Sequence, residues 1–367
     1  MRIVVAMDSF KGSLSSGEAN QAVSRALIGH DVTCIPISDG GEGFLDAWLV
    51  MHADGTVIEE NVMCLDGTKR VARFGFNPST RHAVIEVAET TGLTLISHVD
   101  PWRYSSVGVG HQMIQALNRG AKVVTIGLGG SGTIDGGKGM LEVLGVRFLD
   151  AFGSITPSIP HQLQDVRSID WSGLDPRVRE VEWRIASDVR NPLTGENGAA
   201  FVFGGQKGLA TNDTVPYDRI LHDYANCFER DMRAVRGAGA AGGIGFALLQ
   251  LGATYVSGIE EVVRWSKFEE QIKSADWLIT GEGKFDVQSL EGKAPYGLAR
   301  LAHTHGVPTL VFTGQSDFTS HLESGIIAIF PIVSRIMTLE EAIWEAAPLL
   351  TSAVQRVRHV IEKAPRQ

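Results

Sequence analysis

The chain is poor in cysteine, and its three cysteines, Cys34, Cys64 and Cys227, stand far apart with no C-x-x-C spacing. That pattern excludes a disulfide framework and a thiolate zinc site, and it fits a reducing cytosol. Positive charge is also scarce. The net charge is −9 and no basic stripe is visible, which argues against nucleic acid as a partner. Residues 237–259 lack any charge, but Gly239, Gly242, Gly243, Gly245, Gln250 and Thr254 interrupt them. A membrane span would need about 20 predominantly apolar residues. The apolar run after Met1 is cut by Asp8, so no signal peptide is expected. The histidines show no metal-ligand spacing. Neither a G-x-S-x-G elbow nor an H-E-x-x-H pair occurs, which argues against a hydrolase or a zinc enzyme.

Glycine is what the chain has in excess, with 42 in 367 residues. These glycines cluster beside Asp, Ser and Lys, as in loops shaped around ligands. Apolar residues at 44% and charged residues at 20% describe a globular protein long enough for two domains.

The two ends of the chain alternate strands with helices. Strands are expected at 3–6 and 32–36, then at 277–279, 309–312 and 326–329, with helices at 16–28, 42–51, 293–305 and 338–362. Such alternation predicts a parallel sheet with right-handed crossovers. The middle differs. Residues 57–63 and 70–76 alternate with period two around Asp66-Gly67, the signature of a hairpin, and 82–87 offers a third strand. The expected architecture is therefore α/β: a discontinuous parallel-sheet domain (1–54 plus 262–367) with a mixed α/β domain (55–261) inserted into it.

Five loops carry polar groups suited to phosphate and metal. Asp8-Ser9-Phe10-Lys11-Gly12 follows the first strand. Asp39-Gly40-Gly41-Glu42-Gly43 follows the second, where the pair Asp39 and Glu42 also fits a capping box. Gly129-Gly130-Ser131 leads into Asp135-Gly136-Gly137-Lys138. This third loop matches a dinucleotide fingerprint through Gly127, Gly129 and Gly132, with Asp150 beyond, and most of a Walker A loop. Later glycines break the helix that a nicotinamide site needs, and Gly139 replaces the Ser or Thr of a P-loop. What both objections leave is an anion-binding nest. Asp188 and Asn191, with Gln206-Lys207, form the fourth group, and Glu282, Asp286, Ser289 and Lys293 the fifth. Gly237–Gly243 opens an apolar helix, where an anion site and close packing explain the small residues equally well.

In order and content these loops resemble the type-1 glycerate kinase family over essentially the whole chain. The resemblance implies a flavodoxin-like domain, an inserted second domain and an active site in the cleft between them. It also implies ATP- and Mg²⁺-dependent phosphorylation of D-glycerate, usually at the 2-hydroxyl. With it, Asp188 is expected to act as base and Lys11 and Lys207 to neutralise charge. Ser131 and the amides of Gly129–Gly132 would hold phosphate. Asp8, Asp39 and Glu282 would serve as metal ligands, and Ser9, Gly40, Gly41, Glu42, Asp135, Asn191, Gln206, Asp286, Ser289 and Lys293 would bind substrate or phosphate. The chain departs from the family at Ile134, where Asn is usual, and at Val107 and Val109, where Arg and Thr are common, which raises another small hydroxy acid as the substrate. A nicotinamide-dependent dehydrogenase and a non-catalytic sugar-acid sensor are the rival readings. A cytoplasmic protein acting on a small molecule, away from membranes, is expected, and the reading leaves room for a homodimer.

Overall fold

A computed structural model describes residues 1–156, 160–291 and 294–363. In chain order the described strands are β1 (Arg2–Met7), β2 (Asp31–Cys34), β3 (Thr56–Met63), β4 (Lys69–Asn77), β5 (His82–Glu86), β6 (Val123–Gly127), β7 (Arg147–Leu149), β8 (Ser168–Asp170), β9 (Glu182–Ala186), β10 (Thr254–Val256), β11 (Trp277–Phe285), β12 (Thr309–Ser316) and β13 (Ile326–Pro331). They belong to two compact units, one built from Met1–Asp39, Asp46–Met51 and Ile259–Gln367, the other from Gly40–Leu45 and His52–Gly258. Gly40–Leu45 thus pack with the second unit, although the sequence reading placed them in the first domain.

The first unit carries a five-stranded sheet ordered β13-β12-β11-β1-β2, parallel throughout. Counted within this unit the order is 2-1-3-4-5, the flavodoxin-like arrangement. Alternate side chains serve opposite faces, as the strand period requires. Ile3, Val5, Leu310 and Phe312 join a core with Val23, Leu350 and Val354 from helices Ser16–Ala26 and Ala346–Lys363. Val311 and Ile329 pack instead with Ala299 of helix Ala294–Thr304. Ser15 and Glu18 form a capping box that fixes the start of helix Ser16–Ala26.

Two expectations are corrected here. The segment after Ile279 was read as a loop, yet β11 continues to Phe285 and pairs with β12 as far as Ser316. Its glycines permit close strand contact rather than a turn: a Cβ on Gly281 would lie 1.8 Å from the Phe312 carbonyl oxygen. The single closing helix is two, Leu339–Trp344 and Ala346–Lys363. Pro348 lacks the N–H that continuation would need and is tolerated only in the first turn of the second helix.

The second unit holds a six-stranded mixed sheet, β10-β9-β6-β5-β4-β3. The Asp66-Gly67 hairpin joins antiparallel β3 and β4, β5 pairs antiparallel with β4, and β5, β6, β9 and β10 run parallel. A separate antiparallel pair joins β7 and β8. One core fills this unit, from Phe74 and Ile85 through Ile126 and Ile185 to Phe246. Among the described residues no helix is long and apolar enough to cross a membrane, and the three cysteines are free thiols.

Candidate active site

In the first unit the strand order reverses between β1 and β11, the position where open α/β sheets bind ligands at the carboxyl ends of their strands. Met7 pairs with Gly281, and the Asp8 amide donates to the Gly281 carbonyl at 2.8 Å, so Asp8 leaves β1 beside Glu282 on β11. The Ser9 amide donates to Asp8 Oδ1 at 2.7 Å. Burial, and then the nearby Asp39 and Glu282 carboxylates, raise the pKa of Asp8 to about 8, with Lys11 opposing weakly. Lys11 is exposed, on a loop held by a Phe10–Leu14 bridge and by Ser13, whose hydroxyl donates to the Ile343 carbonyl at 2.7 Å. This gathering of carboxylates suits a cation. Even so, among the described residues no three His, Cys, Asp or Glu side chains are arranged to hold a metal ion. Asp8, Asp39 and Glu282, the expected metal ligands, therefore form no ready-made cluster of three among the described residues. Mg²⁺ commonly takes one or two carboxylates and completes its shell with water and phosphate.

The fifth group folds on itself. Asp286 pairs with Lys284 at 3.0 Å, and fully buried Ser289 accepts the Asp286 amide at 3.1 Å and donates to the Lys284 carbonyl at 3.4 Å. These contacts shape the turn after β11. Lys293 lies outside the described residues.

In the second unit, adjacent strands β6, β9 and β10 release their loops at the same edge of the sheet. After β6 the backbone turns at Gly130, with φ +70°. Among the described residues the N–H groups of Gly129, Gly130 and Ser131 meet no acceptor, while that of Gly132 donates to the Thr91 carbonyl. Successive amides around a left-handed glycine make an anion nest. Beside it, Lys207 is 3% exposed and donates to the Thr133 carbonyl at 2.9 Å and the Ser131 hydroxyl at 3.5 Å. No described carboxylate forms an ion pair with it. Burial therefore lowers its pKa to about 7, against the weaker pull of Asp135.

Asp135 turns inward. Its carboxylate accepts the Ser106 amide and hydroxyl, both at 2.7 Å, and the Gly137 and Gly139 amides at 3.0 and 3.2 Å, with the Ser105 hydroxyl at 3.4 Å. It ties the Ser105-Ser106 segment to the turn that starts helix Lys138–Val143. Asp135→Asn turns an amide NH₂ toward some of these donors and is expected to destabilise the protein by about 2–4 kcal/mol, read as a lowered thermal unfolding temperature. An unchanged unfolding temperature would contradict this role.

Asp188 follows β9, and its Oδ1 accepts the Ser257 hydroxyl at 2.7 Å. Asn191 shapes the same loop, donating to the Asn197 carbonyl at 2.9 Å and accepting the Gly239 amide at its own carbonyl at 3.0 Å. The Gly40–Gly43 loop crosses the strand ends at bare backbone distance. A Cβ on Gly40 would lie 2.2 Å from the Ala186 oxygen, and one on Gly129 would lie 2.2 Å from Gly41 Cα. Glu86, at the end of β5, anchors this loop by accepting the Gly43 and Leu45 amides at 3.3 and 3.2 Å. Glu42 and Gln206 are exposed. Sequence reasoning missed Glu86, Ser106 and Ser257. The available signals were a lone carboxylate ending an apolar strand, the Ser105-Ser106 pair before a helix and the single Ser257 after a strand.

The competing motifs resolve in structural terms. Lys138, the Walker-like lysine, is 1% exposed and pairs with Glu142 at 2.5 Å. The helix begins at Lys138, well past the dinucleotide fingerprint, and Asp150 caps a turn through the Phe152 and Ser154 amides. Gly242 packs where a Cβ would lie 1.9 Å from the Thr133 oxygen, so close packing explains Gly237–Gly243. Val109 and Ile134 are fully buried in the core.

Comparison with known proteins finds relatives along nearly the whole chain. The profile of the "Glycerate kinase family" matches residues 3–362. A Bacillus subtilis glycerate kinase is 39% identical over 99% of this chain and 98% of that protein. The Escherichia coli glycerate 2-kinase is 39% identical over 93% of each. A crystal structure from Salmonella typhimurium, of a protein assigned as a glycerate kinase 2, superposes with a TM-score of 0.82 at 36% identity, covering 99% of this chain and 98% of that one. The chain therefore belongs to the glycerate kinase family, and it is a kinase.

Proposed function

We propose that the protein transfers the γ-phosphoryl group of ATP to D-glycerate at its 2-hydroxyl, giving 2-phosphoglycerate. The observation that carries this reading is the buried Lys207 ammonium beside the Gly129–Ser131 nest. Such a cation calls for a bound anion, and a phosphate fits both the donors and the charge. Similarity to a glycerate 2-kinase supports the choice of acceptor. Of the three departures, Val109 and Ile134 are core residues and Val107 is partly buried.

Phosphoryl transfer is mainly positioning and electrostatics. Asp188 takes the proton of the acceptor hydroxyl as that oxygen bonds to the γ-phosphorus. The bond from phosphorus to the bridging oxygen breaks, and ADP leaves with its electron pair. In the second unit Ser131 and the nest amides hold phosphate oxygens, Lys207 opposes their charge, and Asp135 and Glu86 keep the loops in place. In the first unit Lys11 is an exposed cation suited to the same task. In that first unit Asp8 and Glu282 would hold Mg²⁺, which would supply positive charge against phosphate. The free thiols Cys34, Cys64 and Cys227 support action in the cytoplasm.

An ADP-release assay over small hydroxy acids tests the reading. D-glycerate is expected to exceed L-glycerate, lactate and glycolate in kcat/KM by about tenfold or more. Equal rates across the panel, or no ADP with D-glycerate, would overturn it.

A further inference from the structure

Strands β9 and β10 run parallel, with Tyr255 opposite Ile185 and Val256 opposite Ala186. The ladder extends one rung further, because the Ser187 amide donates to the Val256 carbonyl at 3.2 Å. Asp188 and Ser257 therefore leave neighbouring strands at the same level. Their loop is clamped from two sides. The Val189 amide donates to the Ser187 hydroxyl at 3.2 Å, and the Tyr255 hydroxyl donates to the Val189 carbonyl. The Arg236 guanidinium lies over the Tyr255 ring, 5.2 Å from its centre. The backbone on either side of Asp188 is thereby fixed, and the Ser257 contact at Oδ1 constrains the carboxylate itself.

We propose that Ser257 is the positioning residue for the base: its hydroxyl donates to Asp188 Oδ1, keeps the carboxylate ionised and aims it at the acceptor hydroxyl. The inference rests on the reading of Asp188 as base. Its physical ground is that a hydrogen bond to the charged form of a carboxylate favours that form. The 2.7 Å separation lies at the short, charge-assisted end of O–H···O⁻ distances. Tyr255 of β10 lies close enough to Asp188 to feel its charge, and Arg236, before helix Ile244–Gln250, sits over the Tyr255 ring. The Tyr255 hydroxyl is directed to the Val189 carbonyl, and the hydroxyl donated to Oδ1 is that of Ser257.

The test is the pH dependence of kcat, with ATP, Mg²⁺ and D-glycerate, for the intact enzyme and for S257A, S257T and D188N. S257A is expected to move the acidic limb up by about one pH unit. Its kcat would then fall roughly tenfold near the foot of the acidic limb and return to within about twofold of the parent at alkaline pH, with both KM values unchanged. S257T keeps the donor and should restore the parent profile. An unmoved profile in S257A, or an equal loss at every pH, would overturn the role of Ser257. D188N at the parent rate would instead overturn the reading of Asp188 as base. Should S257A not fold, S257C, whose thiol is a weak donor, is expected to show the same upward shift in smaller measure, and an unmoved profile there would overturn the proposal equally.

Discussion

Asp188→Asn is expected to lower kcat by about 10²-fold or more while leaving the fold and the KM for ATP near their parent values. The amide matches the carboxylate in shape, so the loop after β9 keeps its form, and Ser257 can still donate to the remaining carbonyl oxygen. What the variant loses is the ability to accept the proton as the hydroxyl attacks. Proton acceptance acts in the transition state and not in ground-state binding, so the loss falls on kcat. Steady-state kinetics, with circular dichroism to confirm folding, checks this. A rate within a few-fold of the parent would remove Asp188 from the mechanism.

Lys207→Met is expected to move activity and stability in opposite directions. Lys207 is buried with no described carboxylate paired to it, and burial holds its pKa near 7. The parent therefore bears the cost of an uncompensated charge until an anion arrives. Methionine has similar volume and no charge, so kcat/KM should fall by about 10²-fold or more with loss of one preorganised charge. The sign of the stability change follows from linkage. With its folded pKa below the unfolded value, Lys207 is destabilising in full below about pH 7, and this cost is relieved as pH rises through about 7 to 10.5. K207M should thus be more stable than the parent by at least about 1 kcal/mol at pH 6, with the gain shrinking toward pH 9. In the parent, anion binding should take up a proton and weaken above pH 7, because the ammonium is the form that binds. Thermal unfolding at the two pH values and calorimetry in buffers of different ionisation enthalpy measure both effects. A K207M protein less stable than the parent at pH 6 would show that Lys207 serves packing instead.

The sheets were legible because their signals are local. Ile3–Ala6 is a short apolar run that forms the body of β1, and Asp66-Gly67 sits between alternating segments that pair as β3 and β4. The reading failed where one residue type serves two purposes. Gly281 and Gly283 looked like loop glycines but lie inside β11, and at Gly281 the strand presses against the Phe312 carbonyl, a contact that needs glycine as much as a turn does. The site was legible as a set of loops but not as a set of roles. Asp135 and Ser289 carry the groups a phosphate site would use, and both are consumed by internal hydrogen bonds that only the fold creates. Glu86 and Ser257 escaped notice for the converse reason. Each acts on a segment distant in sequence, Glu86 on Gly43 and Leu45, and Ser257 on Asp188.

A single-turnover experiment with enzyme in excess over labelled ATP, in the presence of Mg²⁺ and D-glycerate, tests the central claim most directly. The account predicts that the γ-phosphoryl label appears on the 2-oxygen of glycerate in one exponential phase, and that D188N slows that phase by about 10²-fold or more without releasing the nucleotide. Label appearing as free phosphate, on the 3-oxygen, or at the parent rate in D188N would contradict it.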